Sequence, residues 1–150
     1  GENKDMLEFA IWFHDLIYDA ASQTNEQESA TLAYDWLENR NVSYAQEVKR
    51  IIALSADYIS AQLTNETEKI FHDLDLAILG SPKVTYQEYA TNIRKEYKHM
   101  SDGEFNAGRE SFITKIIEKE TIFQTEAFHD LFEETARENM RDELEQLTQK

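Results

Sequence analysis

The residues in this chain best suited to chemistry are the pair His14-Asp15, set in the apolar run Phe9-Ala10-Ile11-Trp12-Phe13-His14-Asp15-Leu16-Ile17-Tyr18-Asp19. An imidazole nitrogen and a hard anionic oxygen together form a ligand mix suited to a divalent ion such as Mn, Fe, Zn or Mg. Their setting adds a second argument. Burying a carboxylate among apolar residues is costly unless a cation or donors pair with it. A later apolar stretch, Asp73-Leu74-Asp75-Leu76-Ala77-Ile78-Leu79, supplies further carboxylates that would close such a site.

The His-Asp dipeptide occurs three times, so its context has to decide. His129-Asp130 lies near the start of an amphipathic helix, where an aspartate suits the positive end of the helix dipole. It reads as structural. His72-Asp73 precedes Asp75, and on a helix Asp73 and Asp75 project about 200° apart, so at most one of them faces a given site. Flanked by Leu74, Leu76, Ile78 and Leu79, Asp75 is expected to be the more buried. His14-Asp15 has large apolar neighbours on both sides. Consecutive helical residues point about 100° apart and can still converge on one ion. A capped core histidine beside a salt-bridged aspartate stands as the alternative reading.

The elements that must position these residues are helices. Four Gly and one Pro in 150 residues leave little material for a turn-rich β fold. Apolar residues make up 41% of the chain, enough for one domain with a real core, residues 1–150. Seven helices are expected. The first spans about 4–19 and, being apolar on most sides, should be central. The second runs from about 26 to 39, and Arg40-Asn41-Val42 connects it to a third that begins at Ser43 with Glu47 following. A loop over 59–66 follows, although Tyr58 to Leu63 could extend the third helix by a turn. The fourth covers 66–79 and ends on Gly80 as a C-cap before Ser81-Pro82. Capping boxes at Thr85-x-x-Glu88 and Ser101-x-x-Glu104 start the next two. The last runs from 125 to 147, with Phe128, Leu131, Phe132, Ala136, Met140, Leu144 and Leu147 at helical spacing. An all-α, single-domain bundle follows.

A net charge of −15 argues against nucleic-acid polymers and anionic membranes as partners. No apolar run approaches the ~20 residues of a membrane span. The absence of cysteine removes disulfides, thiolate metal sites and a thiol nucleophile, and fits a cytoplasmic protein.

Taken in order, Phe13-His14-Asp15-Leu16-Ile17-Tyr18-Asp19, Asn25-Glu26-x-x-Ser29-Ala30 and Asp73-Leu74-Asp75-Leu76-Ala77-Ile78-Leu79-Gly80 resemble the HD-domain superfamily of metal-dependent phosphohydrolases, in particular a bacterial branch of predicted phosphohydrolases. The similarity continues through Tyr86-x-x-Tyr89-Ala90, Ile93-Arg94-x-Glu96-Tyr97, Gly108-Arg109, Ile122-Phe123 and Ala136-Arg137-x-Asn139, nearly the whole chain. The resemblance implies an all-helical bundle holding a metal by His, His-Asp and a distant Asp. By position, His14 and Asp15 match the central pair and Asp75 the distant aspartate. Two departures stand out. Residues 1–13 contain no His where the superfamily places one on a preceding helix, which suggests a missing upstream helix. Leu54-Ser55-Ala56-Asp57 stands where related sequences carry Thr-x-x-His, so Asp57 is an oxygen ligand in its place or marks a degraded site.

The reaction so implied is hydrolysis of a phosphate ester of a nucleotide or similar small metabolite by a metal-activated water. Glu26 and Asp57 are candidates for the base or for support of the ligands. A Glu at a helix N-terminus, favoured by the dipole, is the simpler reading of Glu26. Arg94, Lys98 and Arg109 are candidates for the substrate phosphate, Arg94 and Lys98 sharing a helix face at i, i+4. Surface ion pairs with Glu96 or Glu110 are the alternative, and Arg137 suits an ion pair between helices. Two other functions compete: a catalytically silent HD-like module that binds a nucleotide or a protein, and a purely structural acidic bundle. An exposed apolar seam would also admit a second copy of the chain as partner.

Overall fold

In the computed structural model, which describes residues 1–149, α1 covers Glu2–Phe13 and stops before the His-Asp pair. It is followed by α2 (Asn25–Glu38), α3 (Ala45–Leu54), α4 (Glu66–Leu76), a 3₁₀ turn (Ala77–Gly80), α5 (Lys83–Glu96), α6 (Asp102–Ile117) and α7 (Glu126–Thr148). The described residues contain no strand, so the all-α class expected from the sequence holds. No helix among them is long and apolar enough to cross a membrane. The chain divides into two compact units, Gly1–His72 and a second that begins at Asp73.

The core of the first unit is built from Ala10, Ala30, Ala33, Leu37, Val48, Ile52 and Phe71, all buried. Val48, Ile51 and Ile52 fall at i, i+3, i+4 on α3 and make one apolar face. Ala30 and Ala33 put small side chains on the inward face of α2, which favours close helix approach. Phe9, Phe13, Trp36 and Tyr44 pack ring to ring with centroids 5.6 to 6.3 Å apart. Arg40 lays its guanidinium 3.7 Å from the Trp36 ring centroid. Asn41, at φ 55°, closes α2. Val42 N–H donates to Leu37 O and Asn41 N–H to Glu38 O, the bond pattern of a left-handed helix stop, with asparagine in place of the usual glycine.

Three expectations for this unit are corrected. The first helix ends at Phe13, not Asp19, because the backbone of Ile17 and Asp19 finds partners on α2, described below. Nor is it a central helix: Ala10 is its one fully buried residue, and Trp12 is 79% exposed with Ile11 and Leu16 also exposed. The third helix starts at Ala45 without a Ser43 cap and ends at Leu54, with no extension through Tyr58. α4 begins where Asn65 Oδ1 accepts the Glu68 N–H, and Glu68 in turn accepts from Thr64 N–H and Oγ1.

The second unit packs α5, α6 and α7 with the 3₁₀ turn around Leu79, Tyr86, Ile113, Ile116, Ile122, Phe123, Ala136 and Met140. Gly80 does not act as a left-handed cap, since no glycine has positive φ. It is there for space: a Cβ at this position would lie 2.6 Å from Phe132 Cβ and 2.9 Å from Phe132 O on α7. Asn139 Nδ2 donates to Leu79 O and Ser81 O and ties the turn to α7. α5 starts at Lys83 behind Pro82, so the Thr85-x-x-Glu88 box does not form. The Ser101-x-x-Glu104 box forms with both of its bonds. The α7 stripe buries Ala136 and Met140, whereas Leu131 is exposed.

Candidate metal centre

His14 is the C-cap of α1, its backbone N–H still bonded to Ala10 O. Its ring packs edge-on to Phe71, centroids 5.7 Å apart. Nδ1 lies 2.8 Å from Ile11 O. A carbonyl oxygen can only accept, so Nδ1 carries the hydrogen of that bond. Nε2 sits 3.1 Å from Asp15 Oδ2. The Asp15 carboxyl is held below the ordinary carboxylate range, first by the hydrogen bond from His14, against partial desolvation, with the His14 charge adding to the first effect. Its side chain is 73% exposed. The expected buried carboxylate is therefore not what the structure contains.

The donor set fits a metal. A ligating histidine characteristically donates its second ring N–H to a backbone carbonyl, as His14 does to Ile11. His14 Nε2 and Asp15 Oδ2, 3.1 Å apart, are the two atoms that would hold an ion. No group of three or more His, Cys, Asp or Glu side chains placed to share an ion is found among the described residues.

The chain that follows the pair is tied to α2. Ile17 N–H donates to Ser29 Oγ at 3.0 Å, and that hydroxyl donates to Ile17 O at 3.2 Å. Asp19 N–H donates to Asn25 Oδ1 at 3.0 Å, and Asn25 Nδ2 donates to Asp19 O at 2.7 Å. The motif Asn25-Glu26-x-x-Ser29 had directed attention to Glu26. Asn25 and Ser29, one turn apart and buried, are the residues that touch the pair's own segment. Their i, i+4 spacing beside a short loop was the available signal. Glu26 is half-buried in the first turn of α2, where the dipole favours it.

The other candidates fall elsewhere. Asp57 is exposed, and its Oδ1 accepts the N–H groups of Ile59 and Ser60, closing the turn after α3. His72 is buried against Tyr58 with ring centroids 4.9 Å apart. His129-Asp130 is exposed on α7, as a structural pair would be.

In the second unit the relative burial expected of the two aspartates is reversed. Asp73 is fully buried and Asp75 half-buried. Asp73 accepts from Gln124 N–H, Thr125 N–H and Thr125 Oγ1, which makes it the anchor of the segment entering α7. Glu133 accepts from Ile122 and Phe123 N–H, and Arg137 donates to Ile117 O, Lys119 O and Glu120 O. Arg137 pairs with Glu133 one turn away on α7 itself, so the ion pair expected between helices is an intrahelical one.

Two of the three cations expected at a phosphate, Arg94 and Arg109, are engaged in the fold. Arg94 bonds Asp102, Tyr97 O and Met100 O and lies over the Phe105 ring. Its partner is thus Asp102 rather than Glu96. Lys98 lies beyond the end of α5 at Glu96, so the expected i, i+4 face with Arg94 is not a helical one. Arg109, 7% exposed, is paired through two nitrogens with Glu143, at 2.7 and 3.0 Å. Burial pulls its pKa down, but the Glu143 carboxylate raises it further, and it stays charged. Tyr86 donates to the same carboxylate, and burial followed by that bond pushes its hydroxyl pKa far up.

No family model matches this sequence, and no curated protein or solved structure does.

Proposed function

We propose that this chain is a metal-dependent phosphohydrolase of HD type acting on a small phosphorylated metabolite or nucleotide. The observation that carries the reading is the orientation of His14: Nδ1–H on Ile11 O, with Nε2 beside the Asp15 carboxylate. His14 and Asp15 would hold the ion, and Asp75 is the further ligand that the resemblance assigns. A bound divalent metal supplies charge for a phosphoryl oxygen and a water of lowered pKa. His14 contributes a fixed tautomer, and Asp15 contributes an anionic oxygen on an exposed turn that a substrate can reach.

A second reading, a catalytically silent module, is favoured by the engagement of Arg94 and Arg109 in ion pairs within the fold. Metal content separates the two. Elemental analysis after incubation with Mn, Fe or Zn, compared across wild type, His14→Ala and Asp75→Ala, should give bound metal in the wild type that both variants lose. A phosphatase screen on nucleotides and sugar phosphates follows. A metal-free wild type would overturn the enzyme reading.

A further inference from the structure

We infer that Asn25 and Ser29 are the positioning residues of the His14–Asp15 metal site, acting through the backbone of Ile17 and Asp19. The inference rests on the metal reading above. Asp15 stands on an exposed turn between α1 and α2, with no regular element around it. The residues on either side of Asp15 are held to α1, His14 N–H by the last helical bond to Ala10 O and Leu16 N–H by a turn bond to Phe13 O. Beyond Leu16 the backbone is held by side chains of α2, Ile17 by Ser29 and Asp19 by Asn25.

Each of these contacts is a two-point grip. A hydroxyl can donate and accept at once, and a carboxamide matches a backbone amide donor for acceptor. Ser29 and Asn25 each take both the N–H and the C=O of one residue. The spacing suits the task. Side chains four apart on a helix lie about 6 Å apart along its axis. Two residues of open chain span at most about 7 Å. One face of α2 therefore meets residues 17 and 19 together. Ser29 is completely buried, so water cannot replace its grip. A carboxylate that must meet a histidine nitrogen at one ion gains affinity when its backbone is already in place.

The test uses the full chain with Mn²⁺ alone as the probe. Ser29→Ala and Asn25→Ala are compared with wild type, with His14→Ala, and with Val48→Ala, which is buried in the same unit and whose side chain has no hydrogen-bonding group. Two quantities are read: amide exchange of Ile17 and Asp19 without metal, and the Mn²⁺ dissociation constant by calorimetry at a temperature where every variant is folded. The expected result is at least tenfold faster exchange at the released amide and at least tenfold weaker Mn²⁺ binding in both α2 variants, with Val48→Ala binding as wild type. Faster exchange with unchanged Mn²⁺ affinity would overturn the positioning role and leave the metal reading standing. So would an equal loss of affinity in Val48→Ala. Wild type that binds Mn²⁺ no better than His14→Ala would overturn the metal reading, and this inference with it.

Discussion

Replacing Asp73 with alanine should cost about 3–5 kcal/mol of stability without touching a ligand. Its carboxylate is fully buried and takes three donors: Gln124 N–H, Thr125 N–H and Thr125 Oγ1, at 2.7 to 2.8 Å for the shortest bond of each. Hydrogen bonds to a charged acceptor contribute roughly 1.5–3 kcal/mol each, and a buried donor left without one loses about 1–3 kcal/mol. Three such bonds sum to more than the range above. Part of the loss is recovered because the hydroxyl can turn to water and the vacated space can admit one. Urea unfolding followed by far-UV circular dichroism measures the change. With a slope of about 1–3 kcal/mol per molar, the midpoint should fall by 1 M or more, on the order of the whole margin of a small protein. Asp73→Asn keeps one acceptor oxygen and should fall between the two. A loss below about 1 kcal/mol for Asp73→Ala would refute the assignment of Asp73 to structure.

Gly80→Ala should destabilise by about 1–3 kcal/mol despite the better helix propensity of alanine, since the new Cβ meets α7 backbone at 2.9 Å; a raised melting temperature would contradict this. Glu143→Leu should cost about 3–5 kcal/mol by stranding the buried Arg109, and the double change with Arg109→Met should recover most of it, both read by urea melts. Although burial raises the pKa of Glu68, bonds from Thr64 and Arg50 lower it further, so its folded value lies below the unfolded one. Its contribution is therefore full above about pH 4.5 and is lost as pH falls through the folded value. The stability difference between wild type and Glu68→Gln should shrink below about pH 4.5; Trp12 and Trp36 both lie in the first unit, so tryptophan fluorescence reports it. Adding Mn²⁺ at a hundred times its dissociation constant should stabilise by about 2.7 kcal/mol, reversed by chelator, absent in His14→Ala and weaker as pH falls, because a ligating histidine must be neutral.

Periodicity and composition were enough for the helical class, and local chemistry placed several ends. Ser101-x-x-Glu104 starts α6 as read, because a capping box is a complete local device whose two bonds need nothing from elsewhere. Thr85-x-x-Glu88 has the same letters and fails, because Pro82 and the hold of Asn139 on Leu79 and Ser81 start α5 earlier. The first helix was overread for a similar reason. The apolar run continues to Ile17, but Ser29, twelve residues beyond Ile17, and Asn25, six beyond Asp19, offer the backbone better partners than the next helical turn. Gly80 shows the same limit. The sequence identifies a glycine at a helix end, while its reason, the backbone of Phe132 pressed against it, is a contact fifty-two residues away. The cations fared worst. Arg94 and Arg109 were chosen as basic residues in an acidic chain, yet their partners, Asp102 and Glu143, lie eight and thirty-four residues on.

At His14–Asp15 the structure offers orientation in place of burial. A carboxylate within an apolar helix would have to be neutralised. Asp15 lies on an exposed turn, so that cost is largely absent. What remains is orientation. With Nδ1–H committed to Ile11 O, Nε2 can meet the Asp15 oxygen at 3.1 Å only through a proton or a cation between them. A proton gives an ordinary ion pair on an exposed turn, worth little to stability. The two-point grips of Asn25 and Ser29 end α1 and hold the following loop on α2 whether or not an ion is bound, so the Mn²⁺ affinity of their alanine variants decides whether they also serve the pair.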